Sequence, residues 1–198
     1  MKLLLEIGME ELPARFIGPA LSQLEESLKA KLKENRIEFG EATTYSTPRR
    51  LTVVVKDVAE QQQDLTMEIK GPPYSIAYDN GTPTKAAQGF ARSQGVDVND
   101  LVVKTVDNAQ YVFAVKFAKG SGTKEVLPEI LPDVVTSISY PKNMRWGSYE
   151  LKAARPIRWI VALLDDQVIP FAVENLASQT ISFGHRQLSD GEVAITHP

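Results

Sequence analysis

Within its first 35 residues the chain changes hydrophobic period, and that change requires a helix to pack on a sheet. Leu3, Leu5 and Ile7 alternate with Lys2, Leu4 and Glu6, which is the period of a strand over 2–8 whose second face is at least partly buried. Leu21, Leu24, Leu28 and Leu32 then recur at three- and four-residue intervals among Glu25, Glu26, Lys29, Lys31 and Lys33. This is one apolar helical stripe with a charged outer face, spanning 14–35. Asn35 stands where asparagine can take a left-handed cap. Strand and stripe each need a partner surface.

The same reasoning extends along the chain. Residues 41–46 and 50–59 read as strands, the second alternating Leu51, Val53 and Val55; a further strand at 65–70 is stopped by Gly71-Pro72-Pro73. Together these predict a βαβββ subdomain over 1–72. Thr82 and Pro83 suit the cap and first position of a helix 83–94 that ends at Gly95. Segments 101–106 and 110–118 flank Asp107-Asn108-Ala109 as a hairpin. A helix at 123–139 tolerates Pro128 in its first turns, whereas Pro132 can split it. Strands 157–164 and 167–174 meet at Asp165-Asp166. The expected fold is α+β, with mixed, mostly antiparallel sheets, packed helices and subdomains 1–72 and 73–198 that can equally pack as one unit. The tail 191–198 has no capping element, as if the chain continued.

Composition narrows the chemistry. With 43% hydrophobic and 24% charged residues, the chain is an ordinary globular sequence with enough apolar surface for a core. Having no cysteine and only His185 and His197, it has no disulfide framework, thiol nucleophile or Cys/His zinc site. No apolar run resembles a signal peptide or a membrane span, so a cytoplasmic protein is expected. A net charge of −3 argues against indiscriminate coating of nucleic acid and confines any polyanion contact to a patch.

Such a patch is visible. The window 142–158 holds Lys142, Arg145, Lys152, Arg155 and Arg158 against the single acid Glu150. In Arg155-Pro156-Ile157-Arg158-Trp159 it sets two guanidinium groups and an indole at the head of an apolar strand. Arginine forks bind phosphate bidentately or stack on bases; the plainer alternative is that they pair with local acids and cover apolar surface with their stems. Thr47-Pro48-Arg49-Arg50-Leu51 echoes the arrangement, with arginines after a proline entering a strand. Glu6, Glu10 and Glu11 crowd the exit of the first strand, where they can hold Mg²⁺, act as acid and base, or simply favour a helix N-terminus. His185, in Phe183-Gly184-His185-Arg186, offers an imidazole without a recognisable nucleophile. Gly120-Ser121-Gly122 lacks the rest of a nucleotide-binding loop.

Taken in order, Glu6-Ile7-Gly8-Met9-Glu10-Glu11-Leu12-Pro13, Thr47-Pro48-Arg49-Arg50-Leu51, Lys70-Gly71-Pro72, Pro83-Thr84-Lys85-Ala86-Ala87-Gln88-Gly89-Phe90-Ala91, Pro141-Lys142-Asn143-Met144-Arg145-Trp146-Gly147, Arg155-Pro156-Ile157-Arg158-Trp159 and Gly184-His185-Arg186 resemble the β subunit of bacterial heterotetrameric glycyl-tRNA synthetase over essentially the whole chain. Gln187 departs from the aromatic expected after the last motif. The resemblance implies the amino-terminal part of a longer β subunit in an α₂β₂ ligase that joins glycine to tRNA(Gly). ATP and Mg would be handled at the α subunit, with no catalytic residue, metal or cofactor in this stretch. It also implies a tRNA-handling and α-subunit-docking role, for which Lys142, Arg145, Arg155 and Arg158 are the leading tRNA-backbone contacts near the acceptor arm, with Arg49 and Arg50 behind them. A weaker likeness reaches the mixed α/β domains of the phenylalanyl-tRNA synthetase β subunit. Two other readings stay open: a structural scaffold whose arginines are held in ion pairs, and a hydrolytic editing pocket using His185 or the three glutamates.

Overall fold

The computed structural model describes residues 1–185 and 191–198; Arg186 and Gln187 of the last motif lie outside them. The described residues form two compact units, one of 1–62 with 121–198 and the other of 63–120.

In the first unit, β1 (Leu3–Met9) is buried at every position. α1 (Ala14–Glu34) buries Phe16, Ala20, Leu24, Leu28 and Leu32, as the leucine stripe predicts. The left-handed residue after it is Arg36 (φ 54°) and not Asn35 (φ −89°). Asn35 donates instead from Nδ2 to the Lys31 carbonyl at 2.9 Å, satisfying a terminal acceptor from within the last turn. β2 (Ala42–Thr47) and β3 (Arg50–Val55) form a hairpin that joins β1 through β3, antiparallel throughout.

The second unit begins with β4 (Leu65–Pro73), which runs on through the prolines. Its register shifts between Lys70 and Pro73, and this irregularity accommodates residues that cannot donate to the ladder. One turn of helix, α2 (Tyr74–Ala77), and a small hairpin of β5 (Tyr78–Asp79) and β6 (Thr82–Pro83) lead to α3 (Lys85–Gln94). The cap of α3 is Thr84, not Thr82: its Oγ1 accepts from the Ala86 N–H and donates to the Ile76 carbonyl at 2.7 Å, which leaves Pro83 extended in β6. Gly95 (φ 70°) closes the helix as expected. β7 (Val102–Val106) and β8 (Ala109–Ala118) pair around Asp107 and Asn108, both with positive φ, in the two-residue turn that matches strand twist. The sheet order is β4-β8-β7, and Ala87 and Ala91 of α3 share a core with Val112 and Ala114. A Cβ on Gly71 would lie 2.5 Å from Cε1 of Phe90, so the Lys-Gly-Pro segment needs glycine for close packing on the helix. The division placed after residue 72 falls inside β4, and β4 pairs with β8 rather than with the strands that precede it.

Back in the first unit, α4 (Thr123–Thr136) continues unbroken through Pro132 and ends three residues short of 139. Leu127, Leu131, Val134 and Val135 are buried in the same core as α1, and this tertiary packing outweighs the missing donor. Two short strands, β9 (Met144–Arg145) and β10 (Lys152–Ala153), pair with each other before β11 (Ile157–Leu164). The strand expected at 167–174 is two pieces, β12 (Gln167–Val168) and β13 (Ala172–Val173), separated around Pro170. β14 (Leu176–Gln179), β15 (Ile181–Phe183) and β16 (Glu192–Ala194) complete the unit. The large sheet runs β13-β14-β11-β1-β3-β2, with β12 beside β11; the β11–β14 pairing is parallel. The α+β expectation holds.

Both faces of this sheet are used. Leu3, Leu5, Ile7 and Met9 face the helices with Ile160, Ala162 and Leu164. On the other face Leu4, Trp159, Val161 and Leu163 pack with Phe183 of β15 and with Ile195, just beyond β16. Tyr140 packs against Phe16 at the helical side, and burial pushes its hydroxyl up from 10.0 to about 12. Because the folded state favours the neutral phenol, the stability this supplies is complete below about pH 10 and is lost as pH rises through about 12. Urea unfolding across that window should show the loss, and Tyr140→Phe should reduce it.

Candidate functional site

Topology gathers the motifs at one end of the large sheet. β3 and β11 both run antiparallel to β1, so the starts of β3 and β11 flank the end of β1. The Met9 and Leu12 N–H groups donate to the Arg49 and Pro48 carbonyls at 2.9 and 2.7 Å, and Glu10 N–H donates to the Pro156 carbonyl at 3.2 Å. The echo between Pro48-Arg49-Arg50 and Pro156-Ile157-Arg158 thus corresponds to two flanks of a single strand exit.

The floor of this region is polar inside an apolar strand. Glu6, 5% exposed, accepts from Trp159 Nε1 at 2.8 Å and from the Ser182 hydroxyl. Thr52 Oγ1 and Arg50 Nη1 stand at the outer limit of hydrogen bonding to its other oxygen, each at 3.5 Å. Arg50 Nη2 donates to the Phe183 carbonyl at 2.6 Å, while its Nε is buried without a partner among the described residues. The Trp159 indole lies directly over Gly8, where a Cβ would sit 1.9 Å from Cε2. Phe183 tilts against the same indole, with centroids 4.9 Å apart. Sequence reasoning weighed Glu6 as a metal or acid/base candidate or as a solvated acid favouring the helix N-terminus, and missed both its burial and its partners Thr52 and Ser182. The available signal was a carboxylate in the middle of a strand whose second face was expected to be at least partly buried.

Two clefts open above this floor. One, of 550 Å³, is lined by Glu10, Arg49, Tyr149, Arg158, Trp159 and Phe183 among others. The second, of 720 Å³, is lined by Glu11, Thr47, Arg49, Arg50, Phe183 and His185 among others. Arg49 and Phe183 belong to both. The Arg49 guanidinium lies 5.9 Å from the Trp159 ring centroid and has no carboxylate partner among the described residues.

The other sequence-derived cations are placed differently. Arg158 meets Glu10 at 3.3 Å with both side chains exposed, and Arg145 meets Glu150 at 3.4 Å, also exposed; such pairs hold their side chains weakly. Arg155 Nε donates to the Glu11 carbonyl at 2.9 Å, a structural tie between the start of β11 and the segment that follows β1. Lys142 is exposed and, like Arg145, is absent from the walls of both clefts. Glu6, Glu10 and Glu11 do not converge: no cluster of three or more potential metal ligands occurs among the described residues.

These features define an α+β module with cation- and aromatic-lined clefts at one sheet end. The family model described as glycyl-tRNA synthetase beta subunit matches residues 3–198, and the chain belongs to that family. It is 50% identical over 196 residues to the glycine–tRNA ligase beta subunit of Desulforamulus reducens, covering 98% of this chain and 28% of that protein. The Bacillus subtilis counterpart is 51% identical over 197 residues, covering 99% and 29%, and that of Halalkalibacterium halodurans 49% over 196, covering 98% and 28%. The chain therefore spans less than a third of these relatives, and its matched segment is their amino-terminal part.

Removing the Glu6 carboxyl would leave buried donors on Trp159 and Ser182 unpaired. Glu6→Ala should destabilise the protein by about 2 kcal/mol or more, and Gly8→Ala, which drives a methyl into the indole, by about 1–3 kcal/mol. Chemical denaturation checks both, with loss of the Trp159 fluorescence environment as the local readout.

Proposed function

We propose that this chain is a non-catalytic tRNA-handling and subunit-docking module of the β subunit, serving ATP-dependent glycylation of tRNA(Gly) at the α subunit of a cytoplasmic α₂β₂ enzyme. ATP and Mg belong to the α subunit in this reading. One observation carries it: Arg49 is a guanidinium without a carboxylate partner among the described residues, set beside an indole where two clefts meet. That combination accepts a phosphate through the fork and a base or ribose against the ring. Arg158, held only by an exposed pair, can exchange Glu10 for a phosphate at little cost. Lys142 and Arg145 remain peripheral backbone contacts. Arg50 and Arg155 support a second, structural role, because Arg50 Nη2 is held by the Phe183 carbonyl with Nη1 facing Glu6, and Arg155 Nε is held by the Glu11 carbonyl.

No helix among the described residues is long and apolar enough to cross a membrane. In the full-length enzyme, Arg49→Ala should weaken tRNA(Gly) binding and lower the slope of log affinity against log salt by about one. Its thermal stability should fall by no more than about 1 kcal/mol, the scale of an exposed cation–π contact. Affinity and salt slope both unchanged in an Arg49→Ala/Arg158→Ala double variant would sink the role of this cleft in tRNA binding.

A further inference from the structure

The sheet of the second unit has a face that α3 does not cover. Val112 and Ala114 of β8 share a core with α3, so the alternate residues Tyr111, Phe113, Val115 and Phe117 occupy the opposite face. Register adds neighbours to it. Lys70 lies opposite Phe113, Glu68 opposite Val115 and Thr66 opposite Phe117, while Val102 and Lys104 of β7 lie opposite Phe113 and Tyr111. The middle strand therefore carries a line of aromatic rings with a lysine from each neighbouring strand beside it.

The details point to a ligand. Phe117 is 67% exposed and Val102 40%, surface that the fold itself leaves unused. Lys70 Nζ lies 3.6 Å from the Tyr111 ring centroid and Lys104 Nζ 5.9 Å from that of Phe113. Lys104 also pairs with Glu68; Lys70 has no carboxylate partner among the described residues. Protein interfaces enrich aromatics but deplete lysine at their centres, whereas surfaces for unpaired nucleic acid set rings beside cations. A flat sheet cannot enter the deep groove of an RNA helix, but it can stack bases that are already splayed out.

We propose that this face is a stacking platform for unpaired RNA bases, with the exposed Phe117 as the ring partner and Lys70, held over the Tyr111 ring, as a phosphate contact. It shares with the cleft reading only the chemical class of the ligand, because it lies in a different unit and uses none of the arginines. The test is a short single-stranded RNA carrying 2-aminopurine, titrated with the full-length β subunit. Binding should quench the probe. Phe117→Ala should raise Kd about fivefold or more with unchanged thermal unfolding, Phe117→Tyr should restore it, and Lys70→Ala should lower the salt slope by about 0.7. The proposal is overturned if the unsubstituted protein does not bind the probe, or if Phe117→Ala binds and quenches normally. A variant that keeps RNA binding but loses its companion subunit assigns the face to protein and overturns it equally. Arg49→Ala, read on folded tRNA, fails or succeeds separately.

Discussion

The large sheet is organised around a carboxyl group that an apolar strand has no ordinary reason to bury. Glu6 sits in β1, which is buried along its whole length, and its desolvation is tolerable only because donors from β11, β15 and β3 converge on it. Those donors come from segments far apart in the chain. Satisfying one side chain therefore fixes the Trp159 indole, sets Ser182 and with it the β15–β16 hairpin on the second face, and draws Arg50 to the sheet end. An aliphatic residue at this position would bury as well but would specify none of these placements.

Gly8 completes the constraint. Without a Cβ, β1 lets the indole settle flat on the backbone, and this places an aromatic surface between the two arginine-bearing strand starts. Arg49 then finds a ring rather than a carboxylate as its neighbour. The cleft walls are consequences of the same packing: Phe183 is held through its carbonyl by Arg50 and through its ring by Trp159, so it separates two openings instead of filling one. The polar network that stabilises the sheet also shapes the surface above it.

Local periodicity made much of the fold legible. β1, α1, β3, the β7–β8 hairpin and β11 were readable because their alternation or helical stripe reports directly on burial. The failures were of a different kind. β4 looked like a continuation of the first strands, since pairing partners are set by long-range register and leave no mark on a single strand. Pro132 looked like a break, yet the buried leucines and valines around it hold α4 together. Thr82 and Thr84 are equivalent as caps in sequence, and only the carbonyls of α2 choose between them. In the site, Glu6 was visible but its role was not, because the residues that satisfy it stand 44 to 176 positions away.

The distribution of positive charge shows why density along the chain is a poor guide to a binding site. The richest window, 142–158, contains one guanidinium tied to backbone carbonyls and two facing glutamates. Its count therefore overstates the donors open to a ligand. Arg49 lies nearly a hundred residues away in a sparser segment, but chain topology brings it to the same strand exit and packing leaves its guanidinium uncommitted to any described carboxylate. What makes a cation available is the absence of a better local acceptor together with a surface that orients it. Both conditions are met where motifs from distant parts of the chain converge, and the order of those motifs was a better pointer to this place than the charge of any one of them.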